Sequence, residues 1–363
     1  TVIQIGQLAV PTYRIEIEAF ASVPPEPAAS DLPVSISSAA GVEPWGRHAL
    51  ATRADGLLFL SGLMADIPGS NRMVQGYREL DGVVSTNSCC SMNRLMDVWA
   101  QYLRNPLLCT LDLPYNHTPN TVRAFRGELE RFKQALEGLR GKNISDDELW
   151  ESTEVIERTR QLLRNLYEVR KDPDRSIPGS EVLAAVLAGM TLPPKEYNSL
   201  LEEALEELRD REPCPTDLPR VLISGSILLE PRYLKAIEDQ GVLVVADDLC
   251  TGSRFWLPHP DQSREPLEAL SAAYLESVPC ARMINQSERI GHIMQMAEDY
   301  QADGVIYSVL KFCQTYQYDF PHLEATLKEQ GIPLLRLERE QHFSGAGQLK
   351  TRVQAFLEMI SIS

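Results

Sequence analysis

From Arg220 to the end, this chain repeats one pattern, and that pattern limits its fold more than any other feature of the sequence. Short apolar runs are each followed by a stretch of helical spacing: Arg220–Ile223 by Pro231–Asp239, Val242–Ala246 by Glu288–Tyr300, Val305–Val309 by His322–Glu329, and Leu334–Leu337 by about Gln348–Glu358. Strands separated by helices of this length need right-handed crossovers, so a four-stranded parallel sheet with helices on both faces is predicted. Val242–Ala246 is apolar at every position, as expected of a strand covered on both sides. The run stops at Asp247, Asp248, Leu249, Cys250, Thr251 and Gly252. Open α/β sheets bind ligands at the carboxyl ends of their strands, so two carboxylates and a thiol are expected just beyond that end.

The first third of the chain repeats this pattern in weaker form. Leu57–Leu60, Gly82–Ser85 and Leu107–Leu111 read as strands, Met92–Leu103 as a helix with Leu95, Met96, Trp99 and Leu103 on one face, and Ser35–Gly41 as a short helix. Asp81-Gly82-Val83-Val84 recurs as Asp303-Gly304-Val305-Ile306, each followed by a cysteine, Cys89 or Cys313. In both places a helix follows, then a proline-led apolar run, Pro106-Leu107-Leu108 or Pro333-Leu334-Leu335, with Asp112 or Glu338 at its far end. Thr121-Val122-Arg123-Ala124-Phe125 resembles Thr351–Phe356 with one residue inserted. Several matches in the same order imply two related α/β domains. Between about Thr118 and Leu218 long charged amphipathic segments take over, with a capping box at Ser145 and Glu148 and a candidate cap at Ser180 before Val182–Met190. The expected organisation is an arm at 1–31, a first α/β domain at 32–117, an inserted helical domain at 118–218 with no assigned chemistry, and a second α/β domain at 219–363.

A formal net charge of -16 argues against nucleic acid or an anionic membrane as the main partner, because both are bound by basic surfaces. No apolar run approaches the ~20 residues that span a bilayer, and the first residues lack the order of a secretion signal, so a cytoplasmic location is expected. The seven cysteines are an odd number spread over the chain, which argues against a disulfide framework.

Cys89, Cys250 and Cys313 each lie just past a predicted strand, where two facing α/β domains would bring them to a common cleft. Thiolates select zinc or an iron–sulfur cluster, and three of them would leave one iron of a cubane open to substrate. Plain burial competes with this reading, since cysteine is among the most buried residue types. Cys109, Cys214 and Cys280 are read as buried thiols, and Cys89 is favoured over Cys90 by its distance from the preceding strand. Ser224-Gly225-Ser226 follows a strand, so its N–H groups either hold an anion or simply form a tight turn. Asp247 and Asp248 are open to reading as hydrogen-bond acceptors near a ligand or as a helix cap, and the histidines have no partner at metal spacing.

The segments VVADDLCTGSRFW, ADGVIYSVLKFCQTYQYDFPHLEATLKEQGIPLLRLE and GQLKTRVQAFLE resemble the C-terminal half of the 2-hydroxyacyl-CoA dehydratase and benzoyl-CoA reductase family. LDGVVSTNSCCSMNRLMDVW resembles its N-terminal cysteine region, SSAAGVEP its alanine-glycine turn, and the likeness runs from about Leu32 to Met359. The resemblance implies two flavodoxin-like open parallel-sheet domains with an inserted helical domain, and one 4Fe-4S cluster held by Cys89, Cys250 and Cys313. It also implies a homologous second catalytic subunit, an ATP-hydrolysing iron–sulfur activator that delivers one low-potential electron, and an acyl-CoA substrate. Dehydratases of the family recycle that electron after the hydroxyl leaves, whereas reductases keep electrons in an aromatic ring. Ser224, Ser226 and Asp248 are candidate substrate or ligand-supporting residues, and Arg254 and Arg352 are candidates for the CoA phosphates. Asp66-Ile67-Pro68 stands where some members carry a further cysteine, so a double-cubane cluster is not expected, and the arm Thr1–Asp31 does not match the family's usual start. Two other readings remain: an electron-relay or structural subunit of such a complex, and a non-redox α/β ligand-binding module.

Overall fold

The computed structural model describes residues 8–10, 13–15, 51–54, 57–60, 81–88, 90–102, 107–175, 177–211, 214–215, 217–277, 280–340 and 346–362. The expected helix at Ser35–Gly41 and the residue Cys89 lie outside them. Ten strands and ten α-helices occur among the described residues. Strands β1 (Leu8–Val10), β2 (Tyr13–Ile15), β3 (Ala51–Ala54), β4 (Leu57–Leu60) and β5 (Gly82–Thr86) precede helix α1 (Cys90–Tyr102) and β6 (Leu107–Leu111). Then come α2 (Pro119–Arg140), α3 (Asp146–Val169), α4 (Gly179–Gly189) and α5 (Pro194–Glu207). The last part runs β7 (Arg220–Gly225), α6 (Pro231–Glu238), β8 (Leu243–Asp248), α7 (Pro266–Glu276), α8 (Gln286–Asp299), β9 (Gly304–Leu310), α9 (Gln314–Glu329), β10 (Leu334–Arg339) and α10 (Ala346–Ile362).

The chain divides into two compact units. One comprises residues 1–157, 190–193 and 258–276, and the other 158–189, 194–257 and 277–363. In the first, β1–β2 and β3–β4 are antiparallel pairs; β4 is the strand expected at Leu57–Leu60, whereas β1, β2 and β3 are not announced, since strands this short show no clear alternation. Strands β5 and β6 pair in parallel with Gly82 opposite Leu107, and a Cβ on Gly82 would lie 2.6 Å from that of Leu107. Helix α7, absent from the sequence prediction, packs against α2. Leu267 and every residue from Ala269 to Leu275 are buried, so this helix is enclosed nearly all round and shows no amphipathic period.

In the second unit, four strands form one parallel sheet in the order β10-β9-β7-β8, as the alternation predicts. Numbered within the sheet, the order is 2-1-3-4 from β8, a doubly wound arrangement whose direction reverses between β7 and β9. Gly225 has φ 147 and pairs with Ser308, and a Cβ there would lie 1.9 Å from the Ser308 carbonyl oxygen. The repeated Asp-Gly-Val motif therefore opens a strand twice, and each strand pairs in parallel with the next apolar run. The closing Thr351–Phe356 motif serves packing: Phe356 is buried, and a Cβ on Gly304 would lie 2.7 Å from its ring.

Two helix starts in the middle of the chain are made in contrasting ways. The Ser145 N–H donates to Glu148 at 2.8 Å and the Glu148 N–H to Ser145 Oγ at 3.2 Å, which is the predicted capping box. Ser180, by contrast, lies inside the first turn of α4. The exposed amides of that turn are taken by Glu238 of α6, which accepts from Gly179 N at 2.6 Å, Ser180 N at 3.3 Å and Ser180 Oγ at 2.5 Å. A carboxylate 58 residues away in sequence thus does the work of the expected cap.

Candidate functional site

Strand β8 continues through Asp247 and Asp248, so both carboxylates lie within the sheet and not beyond its end as the sequence predicts. Each is buried because partners distant in sequence satisfy it. Asp247 accepts from Tyr167 Oη at 2.5 Å and from Ser253 N at 2.7 Å, with Arg170 Nη1 at 3.6 Å. Gly252 is required at that turn, where a Cβ would lie 1.7 Å from Asp247 Oδ1.

Asp248 is the centre of a second network. Its Oδ1 accepts from Arg254 Nε at 2.8 Å, and its Oδ2 accepts from Arg289 Nη2 at 3.1 Å and from Ser224 Oγ at 2.8 Å. Arg289 also donates to Ser224 Oγ at 3.0 Å and to Asp319 Oδ2 at 2.9 Å, and Tyr307 Oη donates to the same Asp319 oxygen at 2.8 Å. Burial opposes charge on Asp248, but the two guanidiniums outweigh it and hold its pKa below the ordinary value. Burial likewise opposes charge on Arg254 and Arg289 and is the largest single influence on each, but the groups around them, Asp248 foremost, together more than offset it for both.

Cys250 belongs to this network. It is fully buried two residues past β8, and its Sγ lies 3.4 Å from Arg254 Nη1 and 3.7 Å from Tyr316 Oη. Arg254 Nη1 also donates to the Tyr316 oxygen. Burial keeps the Tyr316 phenol protonated well beyond its usual range. Cys313 is half-buried at the residue before α9, three past the end of β9. Because β8 and β9 flank β7, both thiols leave the same carboxyl edge, on either side of the central strand. Arg339 of β10 lies within electrostatic reach of both, its pKa drawn down to about 10 chiefly by burial. Glu230, which also faces Arg339, is itself paired with Arg232 at 2.8 Å. Arg254, Arg289 and Arg339 thus outnumber Asp248 and Asp319 by one positive charge, and this favours an anionic thiolate-bound group.

The other candidates are spread around this edge. Ser224 is inside the Asp248 network. Ser226 has its N–H on Ser308 O at 3.2 Å, and its Oγ accepts from Leu310 N at 2.9 Å. Arg352 is exposed and donates to Arg336 O at 2.6 Å. Among the described residues, no three of His, Cys, Asp and Glu converge as metal ligands; Cys89 is not one of them.

Residues 35–360 match the model of the 2-hydroxyglutaryl-CoA dehydratase D-component family. The chain belongs to that family. Among curated dehydratase-family relatives it is 23% identical over 286 residues to the (R)-phenyllactyl-CoA dehydratase beta subunit of Clostridium sporogenes, covering 78% of this chain and 76% of the relative. It is 25% identical over 289 residues to one of the benzoyl-CoA reductase subunits of Thauera aromatica, covering 78% and 75%. A third, the (R)-2-hydroxyglutaryl-CoA dehydratase beta subunit of Acidaminococcus fermentans, is 25% identical over 233 residues, covering 63% and 62%. The match to the dehydratase family includes all three candidate thiols and leaves out the N-terminal arm.

Sequence reasoning missed five residues of this site: Arg289, Tyr307, Tyr316, Asp319 and Arg339. It also left out Cys280, which is buried within electrostatic reach of Cys250 and Arg254 and whose thiol burial raises to about 12. The available signal was a charged residue at a helix position otherwise facing the core, as at Arg289, flanked by Ile290 and Ile293. Among the described residues, no helix is long and apolar enough to cross a membrane.

Proposed function

We propose that the chain is the iron–sulfur subunit of an ATP-activated radical enzyme acting on acyl-CoA thioesters, by 2-hydroxyacyl-CoA dehydration or benzoyl-CoA-type ring reduction. The observation that carries this reading is the emergence of Cys250 and Cys313 on one sheet edge that bears excess positive charge, in a chain of this family. Cys89, Cys250 and Cys313 would hold one 4Fe-4S cluster, and the donor set fits: soft thiols, one of them already within hydrogen-bonding distance of an arginine and a tyrosine. When bound, that cluster supplies single-electron chemistry and an iron open to the substrate oxygen.

The protein's own part is to hold the thiols, balance their charge and keep water away. Arg254 and Arg339 compensate thiolate charge, while the buried Asp248–Arg289–Asp319 chain fixes Arg254 and prevents its rotation toward solvent. The names of the relatives, each one subunit of an enzyme, support a homologous second subunit as partner, and the chemistry needs an ATP-dependent activator as electron source.

Anaerobic purification followed by iron and acid-labile sulfide analysis tests this. About four irons per chain, with an electron paramagnetic resonance signal of the reduced protein that changes on adding acyl-CoA, is expected. Iron without any response to acyl-CoA assigns the chain an electron-relay role, and absence of iron leaves a non-redox module.

A further inference from the structure

We propose that Arg254 and Tyr316 donate hydrogen bonds to the Cys250 sulfur in the cluster-loaded protein and so raise the reduction potential of the cluster. The proposal rests on the iron–sulfur reading above and extends it to two residues that would not themselves ligate iron. Both are positioning residues.

The geometry leaves each of them a donor aimed at sulfur. Arg254 uses Nε and Nη2 on Asp248 Oδ1, at 2.8 and 2.7 Å, and Nη2 also reaches the Asp248 carbonyl oxygen at 3.2 Å. That two-point grip aims the remaining nitrogen, Nη1, at Cys250 Sγ 3.4 Å away. Tyr316 accepts from the same Nη1, so its oxygen already serves as an acceptor and its own proton is available to a second group. Cys250 Sγ, at 3.7 Å, is within reach of that proton. The whole unit is enclosed: Asp248, Cys250, Arg289 and Tyr316 are each 0% exposed and Arg254 is 7% exposed. Arg289 stacks over the Tyr316 ring at 5.4 Å, which holds the phenol in place.

Donors to a ligating sulfur withdraw negative charge from it. They favour the reduced cluster, which carries one more electron, over the oxidised one. Water is excluded, so no solvent molecule substitutes for a lost donor, and the effect is larger than at an exposed sulfur. The electron comes from outside the chain and ends on the cluster, and no proton need move with it.

The test is an anaerobic redox titration of the full-length, iron-loaded chain with titanium(III) citrate, followed by electron paramagnetic resonance. Tyr316→Phe keeps the ring and removes only the hydroxyl. Its reduced-to-oxidised ratio at a fixed potential is expected to fall about tenfold, equivalent to about 59 mV for a one-electron couple. Arg254→Lys is expected to move the potential in the same direction; if it does not fold, Tyr316→Phe decides. Tyr307→Phe serves as control, because that hydroxyl touches Asp319 and the Tyr316 carbonyl and not sulfur, and its potential is expected to stay in place. A Tyr316→Phe protein with full iron and an unmoved potential overturns the proposal, as does a Tyr307→Phe shift of equal size. Iron-free wild-type protein, recognised before any titration, overturns the cluster reading itself and this proposal with it.

Discussion

Asp248 and Arg289 meet at 3.1 Å with both side chains fully buried, and Arg289 carries a second carboxylate, Asp319, at 2.9 Å. A guanidinium shared by two buried carboxylates is a linchpin: its removal leaves Asp319 with only the neutral Tyr307 donor and Asp248 with Arg254 as its one close cation. Arg289→Met is expected to cost about 3–5 kcal/mol in chemical denaturation. Because the folded pKa of Asp248 lies below its ordinary 3.8, its contribution is fully present above that value and is lost as pH falls through the folded value. The wild type should therefore lose stability on the acid side, and Asp248→Asn should lose that part of the slope.

Glu238 behaves in the opposite sense. Burial raises its folded pKa above 4.5, although three donors from the start of α4 partly counter this. Between 4.5 and the folded value the native state binds more protons than the unfolded chain, so stability declines as pH rises through that window. Urea melts at stepped pH should show this decline, and Glu238→Gln should flatten it.

At the start of α3 the Ser145–Glu148 box holds the Glu148 carboxyl down to about 2, first through the Ser145 N–H and then through Arg140. Exposure weakens this effect by solvent screening. Ser145→Ala is expected to cost about 1 kcal/mol by thermal melting, and the charge-dependent part of the box disappears as pH falls from 4.5 to about 2.

Gly225 allows β7 to approach β9 at Ser308. Gly225→Ala places a methyl 1.9 Å from a carbonyl oxygen at a φ of 147, so a loss of about 3 kcal/mol or more is expected in denaturant unfolding.

The parallel sheet was legible because each of its strands is a short apolar run bounded by helical spacing, and the pairing of β5 with β6 was implied by the Asp-Gly-Val repeat. The capping box was legible because it is local. What the sequence concealed depends on distant partners. Asp247 and Asp248 read as lying just beyond a strand, and are its last residues because Tyr167 and Arg289, 80 and 41 residues away, supply their hydrogen bonds. Helix α7 hides for a different reason: enclosed nearly all round, it lacks the polar stripe that marks an amphipathic helix. Cys280 reads as an ordinary loop thiol because its closeness to Cys250 arises from the fold and not from spacing.

The central claim, that three thiols distant in sequence share one iron–sulfur cluster, is tested most directly by counting iron after anaerobic reconstitution of single alanine variants. The account predicts about four irons in the wild type and in Cys214→Ala, and loss of iron in Cys89→Ala, Cys250→Ala and Cys313→Ala. Unchanged iron in any of those three, or none in the wild type, would contradict it.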